Sequence, residues 1–282
     1  MFNPELTDYV QSIILQELTT NEKDYLTEVF RRFKGYPSLE QMWTLLDEPW
    51  IEYGCDPEHM DERTTAFYRH PVWMLNGLFI EQHIQSLENR QIFTNWVVQQ
   101  QPARLADFGG GFGGLARFIG DALPNAQVEV VDPHPHLAAI ALAATTPNVR
   151  FVPELSGEYD VLIATDVFEH VLDPIGLAAQ TAKHLREGGG QYLIANCFSP
   201  IILCHLPQLF YFQIAWDCSM QAMGLQPGER VSYGRSYQCF AELNIPAARK
   251  TAERARKLWP LFQKLPRGRA RIGSSFVRLL CM

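Results

Sequence analysis

Asp107-Phe108-Gly109-Gly110-Gly111-Phe112-Gly113-Gly114 is the segment in which residue types and spacing speak most directly of chemistry. Glycines let a loop turn tightly and bring its backbone close to a ligand. Gly109, Gly111 and Gly114 meet the G-x-G-x-x-G spacing of dinucleotide-binding loops, and Asp132 further on is the acid that such sites aim at a ribose diol. Asp107 adds a condition of its own. A carboxylate directly ahead of the loop repels a pyrophosphate and attracts a ligand that carries positive charge. A second cluster is Thr165-Asp166-Val167-Phe168-Glu169-His170-Val171, where carboxyls and an imidazole suited to moving protons stand together. The plainer reading of His170 is a side chain that caps or packs the helix starting there.

These residues need strands and helices to position them. RLADF (104–108), VEVVD (128–132), NVRFV (148–152), YDVLIAT (159–165) and QYLIAN (191–196) read as strands, with helical stretches between them. Such alternation predicts an α/β fold: a doubly wound, mostly parallel sheet with right-handed crossovers. The glycine loop then joins strand one to helix one, at the carboxyl edge where ligands bind in open sheets. Residues 1–100 read as a helical region and 101–282 as the core, with a helical insertion at about 200–224. In the first region Leu6, Val10, Ile13, Ile14 and Leu18 follow helical spacing, Asn21 reads as an N-cap, Pro71 starts or kinks an aromatic helix, and Ser86 caps the next. A strand is expected near Val231–Tyr233, a basic helix over 247–259, and a final strand at SFVRLLC.

Asp107-x-Gly109-x-Gly111-x-Gly113, Asp132 after strand two, and Asp166-Val167-Phe168-Glu169-His170-Val171-Leu172-Asp173-Pro174 resemble class I S-adenosylmethionine (SAM)-dependent methyltransferases, in particular the quinol and small-molecule methylases. The likeness covers about residues 104–197. It implies a Rossmann-like fold with SAM as cofactor and S-adenosylhomocysteine as product. Asp107, Gly109, Gly111 and Gly113 would pass under the methionine and ribose, and Asp132 would hold the ribose hydroxyls. Pro133 would lie near the adenine, Glu154 near its amino group, and Thr165 and Asp166 at the methionine end. His170 would be the catalytic base for a small-molecule acceptor methylated on oxygen, nitrogen or carbon. In ubiquinone O-methyltransferases an acid, a glutamate and a histidine at the spacing of Asp166, Glu169 and His170 hold a divalent cation, but the expectation for this chain is no metal.

Tyr68, His70, Trp73 and His205 lie in apolar, aromatic-rich segments and are the candidate acceptor wall, against the plainer reading of core packing. Such a pocket suits an apolar or aromatic acceptor. The competing function is an NAD-dependent oxidoreductase or epimerase using the same glycine loop, disfavoured by Asp107 and by the absence of a second βαβ half. A net charge of −7 disfavours nucleic acid as a partner. The basic stretch Arg249, Lys250, Arg254, Arg256, Lys257, Lys264, Arg267, Arg269 and Arg271 is either a solvated face or a dock for an anionic partner. Six scattered cysteines without a C-x-x-C pair read as reduced thiols. With neither a signal peptide nor a transmembrane run, a cytoplasmic location is expected. The acceptor and the oligomeric state are not legible.

Overall fold

The computed structural model describes residues 12–240 and 242–264. Five helices lying wholly within the described residues precede the sheet: α1 (Thr20–Phe33), α2 (Leu39–Glu52), α3 (Glu62–Tyr68), α4 (Pro71–Ile80) and α5 (Ile84–Gln100). Their starts are fixed by local chemistry. Thr19 and Ser38 form capping boxes with Glu22 and Gln41, which satisfies donors that a helix leaves open. Asn21 therefore lies inside α1 and is not its cap. The aromatic segment divides in two, because His70 caps a new helix with Pro71 at its first position. The cap of α5 is His83, and Ser86 hydrogen-bonds to that ring. Residues 12–17 are helical, whereas Leu6 and Val10 fall outside the described residues.

The core follows as β1 (Arg104–Phe108), α6 (Gly114–Ala122), β2 (Gln127–Val131), α7 (Leu137–Ala143), β3 (Val149–Val152), β4 (Val161–Thr165), α8 (Pro174–Ala182), β5 (Gln191–Ala195), α9 (Phe212–Met223), β6 (Leu225–Val231), β7 (Gly234–Cys239) and α10 (Ile245–Gln263). The sheet order is β3-β2-β1-β4-β5-β7-β6. The first five strands pair in parallel, and β7 pairs antiparallel with β5 and β6. The mostly parallel sheet is as expected. The strand near Val231–Tyr233 is in fact a hairpin, turning at Ser232-Tyr233 with Ser232 at φ +51°. The segment SFVRLLC lies outside the described residues. The insertion after β5 is irregular to residue 206, with a 3-10 turn at Pro207–Leu209 before α9.

Leu105, Val128, Val130, Ile163 and Leu193 face α5 and α6, while Ala106, Leu162, Ala164, Tyr192 and Ile194 face α8, α9 and α10. Burial on both faces explains why the strands read as continuous apolar runs. The N-terminal helices join Phe112 of the glycine loop and Ala138, Ala139 and Leu142 of α7 in a third core. Among the described residues no helix is long and apolar enough to cross a membrane. Cys55, Cys197 and Cys204 are free thiols. Cys218 is disulfide-bonded, which corrects the reading of six reduced thiols.

Candidate functional site

The glycine loop runs from β1 into α6 with Gly109, Gly111 and Gly113 at φ +71°, +55° and +68°, the left-handed region where a Cβ is strained. Asp107 points back beneath the loop. A Cβ on Gly110 would stand 2.5 Å from Asp107 Oδ2, so glycine at 110 makes room for the carboxyl. Asp107 is 1% exposed, and neither of its oxygens has a hydrogen-bond partner among the described residues. Burial pushes its pKa up to about 7, against a downward pull from the Arg90 guanidinium. A carboxyl that lacks donors there fits a cationic ligand group such as the SAM ammonium. Because the folded pKa lies above the unfolded value, its contribution to stability is full below about pH 4 and is lost as pH rises through about 7. Asp107→Asn should therefore melt a few degrees above the parent at pH 8, and near it at pH 4, in thermal scans without ligand. The same variant should bind S-adenosylhomocysteine more weakly in calorimetry, and tighter binding would contradict this role.

Asp132 is half-buried just past β2, with Oδ1 accepting the His134 N–H at 2.8 Å. A concavity of about 450 Å³ adjoins it, lined by Pro133, Pro135, Ile140, Phe151 and Val152 among others. Glu154 is exposed two residues past β3, outside that lining. His136 caps α7 and meets Glu22 at 2.8 Å, and thus ties α1 to the core.

At the end of β4, Asp166 adopts φ +52° and accepts the Tyr233 hydroxyl at 2.8 Å. Asp166 is exposed at the strand end, with protein packed around its carboxyl. A 3-10 turn, Phe168–His170, then buries Glu169, whose Oε1 accepts the Cys197 N–H at 2.6 Å. Burial raises the pKa of both carboxyls, and the Asp166 charge raises that of Glu169 further. Burial and the neighbouring His205 push the His170 pKa down to about 3, so its ring is neutral. His170 Nδ1 donates to the Cys204 carbonyl at 3.1 Å, which leaves the lone pair on Nε2. His170 does not cap α8. Asp173 does, accepting from Gly176 at 3.0 Å.

Tyr68 and Trp73 pack beside this cluster in a tilted pair with ring centroids 5.2 Å apart, and Tyr68 meets His170 edge-on at 6.5 Å. The His205 ring lies 4.8 Å from that of His170. Three of the four expected wall residues thus come together. His70 does not, since its Nδ1 caps α4 and its ring meets Tyr25 and Tyr53. Sequence reasoning missed Tyr233, which a hairpin 67 residues away carries to Asp166. It also missed buried Glu81, which binds Arg117 at 2.6 Å and faces Arg90 at 3.6 Å, pinning α6 to the N-terminal helices. Of the basic stretch, Arg249 pairs with Asp173, and Arg256 and Lys257 pair with Glu253. Arg267, Arg269 and Arg271 fall outside the described residues.

Residues 82–200 match a family of proteins described as a methyltransferase domain. A stretch of 98 residues is 32% identical to the trans-aconitate 2-methyltransferase of Deinococcus radiodurans, and covers 33% of this chain and 38% of that one. The chain thus spans under two fifths of the curated relative it matches. Among solved structures, an O-methyltransferase family protein from Burkholderia thailandensis superimposes with a TM-score of 0.53 at 13% identity, over 71% of this chain and 70% of that one. At such identity the likeness concerns the fold.

Proposed function

We propose that this chain, which is similar to methyltransferase domains, is a class I SAM-dependent methyltransferase and transfers the methyl group of SAM to a small apolar or aromatic acceptor. The observation that carries the reading is the buried Asp107 carboxyl, bare of donors beneath a left-handed glycine loop. In this reading the SAM ammonium meets Asp107, and the backbone of Gly109, Gly111 and Gly113 passes under the methionine and ribose. Asp132 holds the ribose diol with Oδ2. Pro133 borders the adenine, and Glu154 caps its amino group. Thr165 and Asp166 line the methionine end. A second βαβ half, which a dinucleotide enzyme would need, is replaced by the β6–β7 hairpin.

The acceptor then lies between Asp166 and the Tyr68, Trp73 and His205 wall, with the N-terminal helices as the lid. Its lone pair forms the bond to the methyl carbon as the S–CH3 bond breaks and sulfur keeps the electron pair. The sulfonium supplies the leaving group, so the protein contributes alignment and acceptor activation. We assign activation to His170, because its Nδ1 donates to the Cys204 carbonyl and leaves the Nε2 lone pair open.

Asp132→Ala removes a charge-assisted acceptor that contributes roughly 1.5–3 kcal/mol. Calorimetric affinity for S-adenosylhomocysteine should fall by about tenfold or more. Unchanged affinity in a folded variant, or binding of NAD instead, would overturn the assignment.

A further inference from the structure

We infer that Glu169, His170 and His205 form a site for one zinc-class divalent cation at the acceptor end of the cleft. Glu169 and His170 come from the turn after β4, and His205 from the loop after β5. The fold nevertheless brings one ligand atom from each to within 4.8 Å of the others.

The orientation of the two imidazoles is the second observation. His170 Nδ1 is bonded to the Cys204 carbonyl at 3.1 Å and His205 Nδ1 to the Ser199 carbonyl at 2.8 Å. A carbonyl only accepts, so each Nδ1 carries the proton and each Nε2 an open lone pair. Metal-bound histidines are fixed by this same use of the other ring nitrogen. The carboxyl is the third observation. Glu169 is 1% exposed, Oε1 accepts the Cys197 N–H, and its carboxyl lies against that of Asp166. Two imidazole lone pairs and a carboxyl therefore converge beside a second, crowded carboxyl, an arrangement whose burial a bound cation would relieve.

Two imidazoles and one carboxylate select a borderline ion over magnesium or calcium, which take oxygen ligands. They also leave a fourth tetrahedral position open, as in catalytic zinc sites. Metal–ligand distances of about 2.0–2.2 Å require the three side chains to draw in by roughly 1 Å. Asp166 offers no ligand atom to this convergence, and Tyr233 donates to its Oδ2. The ligands thus differ from the Asp166, Glu169 and His170 triplet, with His205 of a separate loop taking the third place.

The function of the open position rests on the methyl-transfer reading. It takes a hydroxyl oxygen of the acceptor, whose proton passes to solvent as the cation acidifies it. The oxygen lone pair then forms the O–CH3 bond while the S–CH3 bond breaks and its pair stays on sulfur. His170 activates the acceptor through the cation in this scheme.

The test is a titration of tag-free protein, stripped by chelator, with Co2+. Expected is one Co2+ per chain, with visible absorption of tetrahedral type that Zn2+ abolishes. His205→Gln should weaken Co2+ binding by at least about tenfold, whereas His184→Gln, outside the cluster, should leave it unchanged. S-adenosylhomocysteine calorimetry on the same preparations separates the two readings. No stoichiometric Co2+ uptake by the parent chain, or full uptake by both His205→Gln and Glu169→Gln, overturns the metal site whatever the cofactor does. Uptake without S-adenosylhomocysteine binding keeps the site and overturns the methyl-transfer reading. Should His205→Gln fail to fold, Glu169→Gln, which keeps the side-chain shape, carries the comparison.

Discussion

Gly109→Ala should lower the affinity for S-adenosylhomocysteine by at least about 100-fold, equivalent to roughly 2.7 kcal/mol. Two costs combine at this position. Its φ of +71° is unfavourable for a residue with a Cβ, by roughly 1–2 kcal/mol. The new Cβ would also stand 2.7 Å from Val167 Cγ2. Val167 has little room to yield, since a β-branched side chain is stiff and the preceding Asp166 is itself held at φ +52° by the turn after β4. The loop must move, and with it the backbone assigned to the methionine and ribose. Gly188→Ala is the control. Gly188 has φ +77° but nothing within 4 Å of its Cβ position, so the strain is similar and the clash absent. That variant should melt lower and bind the ligand as the parent does. Equal affinities for parent and Gly109→Ala in folded protein would mean that the loop is not the cofactor cradle.

Glu129→Ala should cost about 3 kcal/mol or more of stability, seen as a fall in Tm of roughly 6 °C or more. Glu129 is fully buried in β2, yet it accepts from Arg104 at 2.9 Å, Tyr159 at 2.6 Å and Gln127 at 2.7 Å, and also from Arg150. Removing it leaves the Arg104 guanidinium and the Tyr159 hydroxyl without that acceptor under the sheet. Burial on its own raises the Glu129 pKa, but the hydrogen bonds from Tyr159, Arg150 and Arg104 outweigh it and hold the carboxyl below its ordinary value of 4.5. For a depressed pKa the stabilisation is present above the unfolded value and is lost as pH falls through the folded one. The gap between parent and variant should thus be widest near neutrality and shrink below about pH 4. A gap that grows in acid would contradict the account. Ligand affinity of the folded variant should be unchanged, because Glu129 lies on the sheet face away from Asp107.

Much of this was written in the chain itself. The five parallel strands are apolar runs bounded by turn residues, and burial on both faces demands that composition. The glycine loop, Asp107, Asp132 and the Asp166–Pro174 motif are local, and each lies within a few residues of a strand end. By themselves they pointed to the α/β fold and to the methyltransferase resemblance. Helix starts were less legible. Thr19 took the start of α1 from Asn21 because its hydroxyl reaches the Glu22 N–H in a capping box, whereas α5 starts after His83 with no side-chain cap, Ser86 bonding to the His83 ring instead.

Tertiary structure alone decided what lies far apart in sequence. Tyr233 reaches Asp166 only because residues near 231 form a hairpin on the edge of the sheet, a pairing that local pattern does not encode. His70, an aromatic-segment histidine like any other by composition, was turned by its capping bond towards Tyr25 and Tyr53. His205 joined Glu169 and His170 because two backbone carbonyls orient both rings across the gap between the β4 turn and the β5 loop. Charge, burial and ring tautomer at that cluster depend on atoms that the sequence places dozens of residues away, so only the folded chain could assemble them.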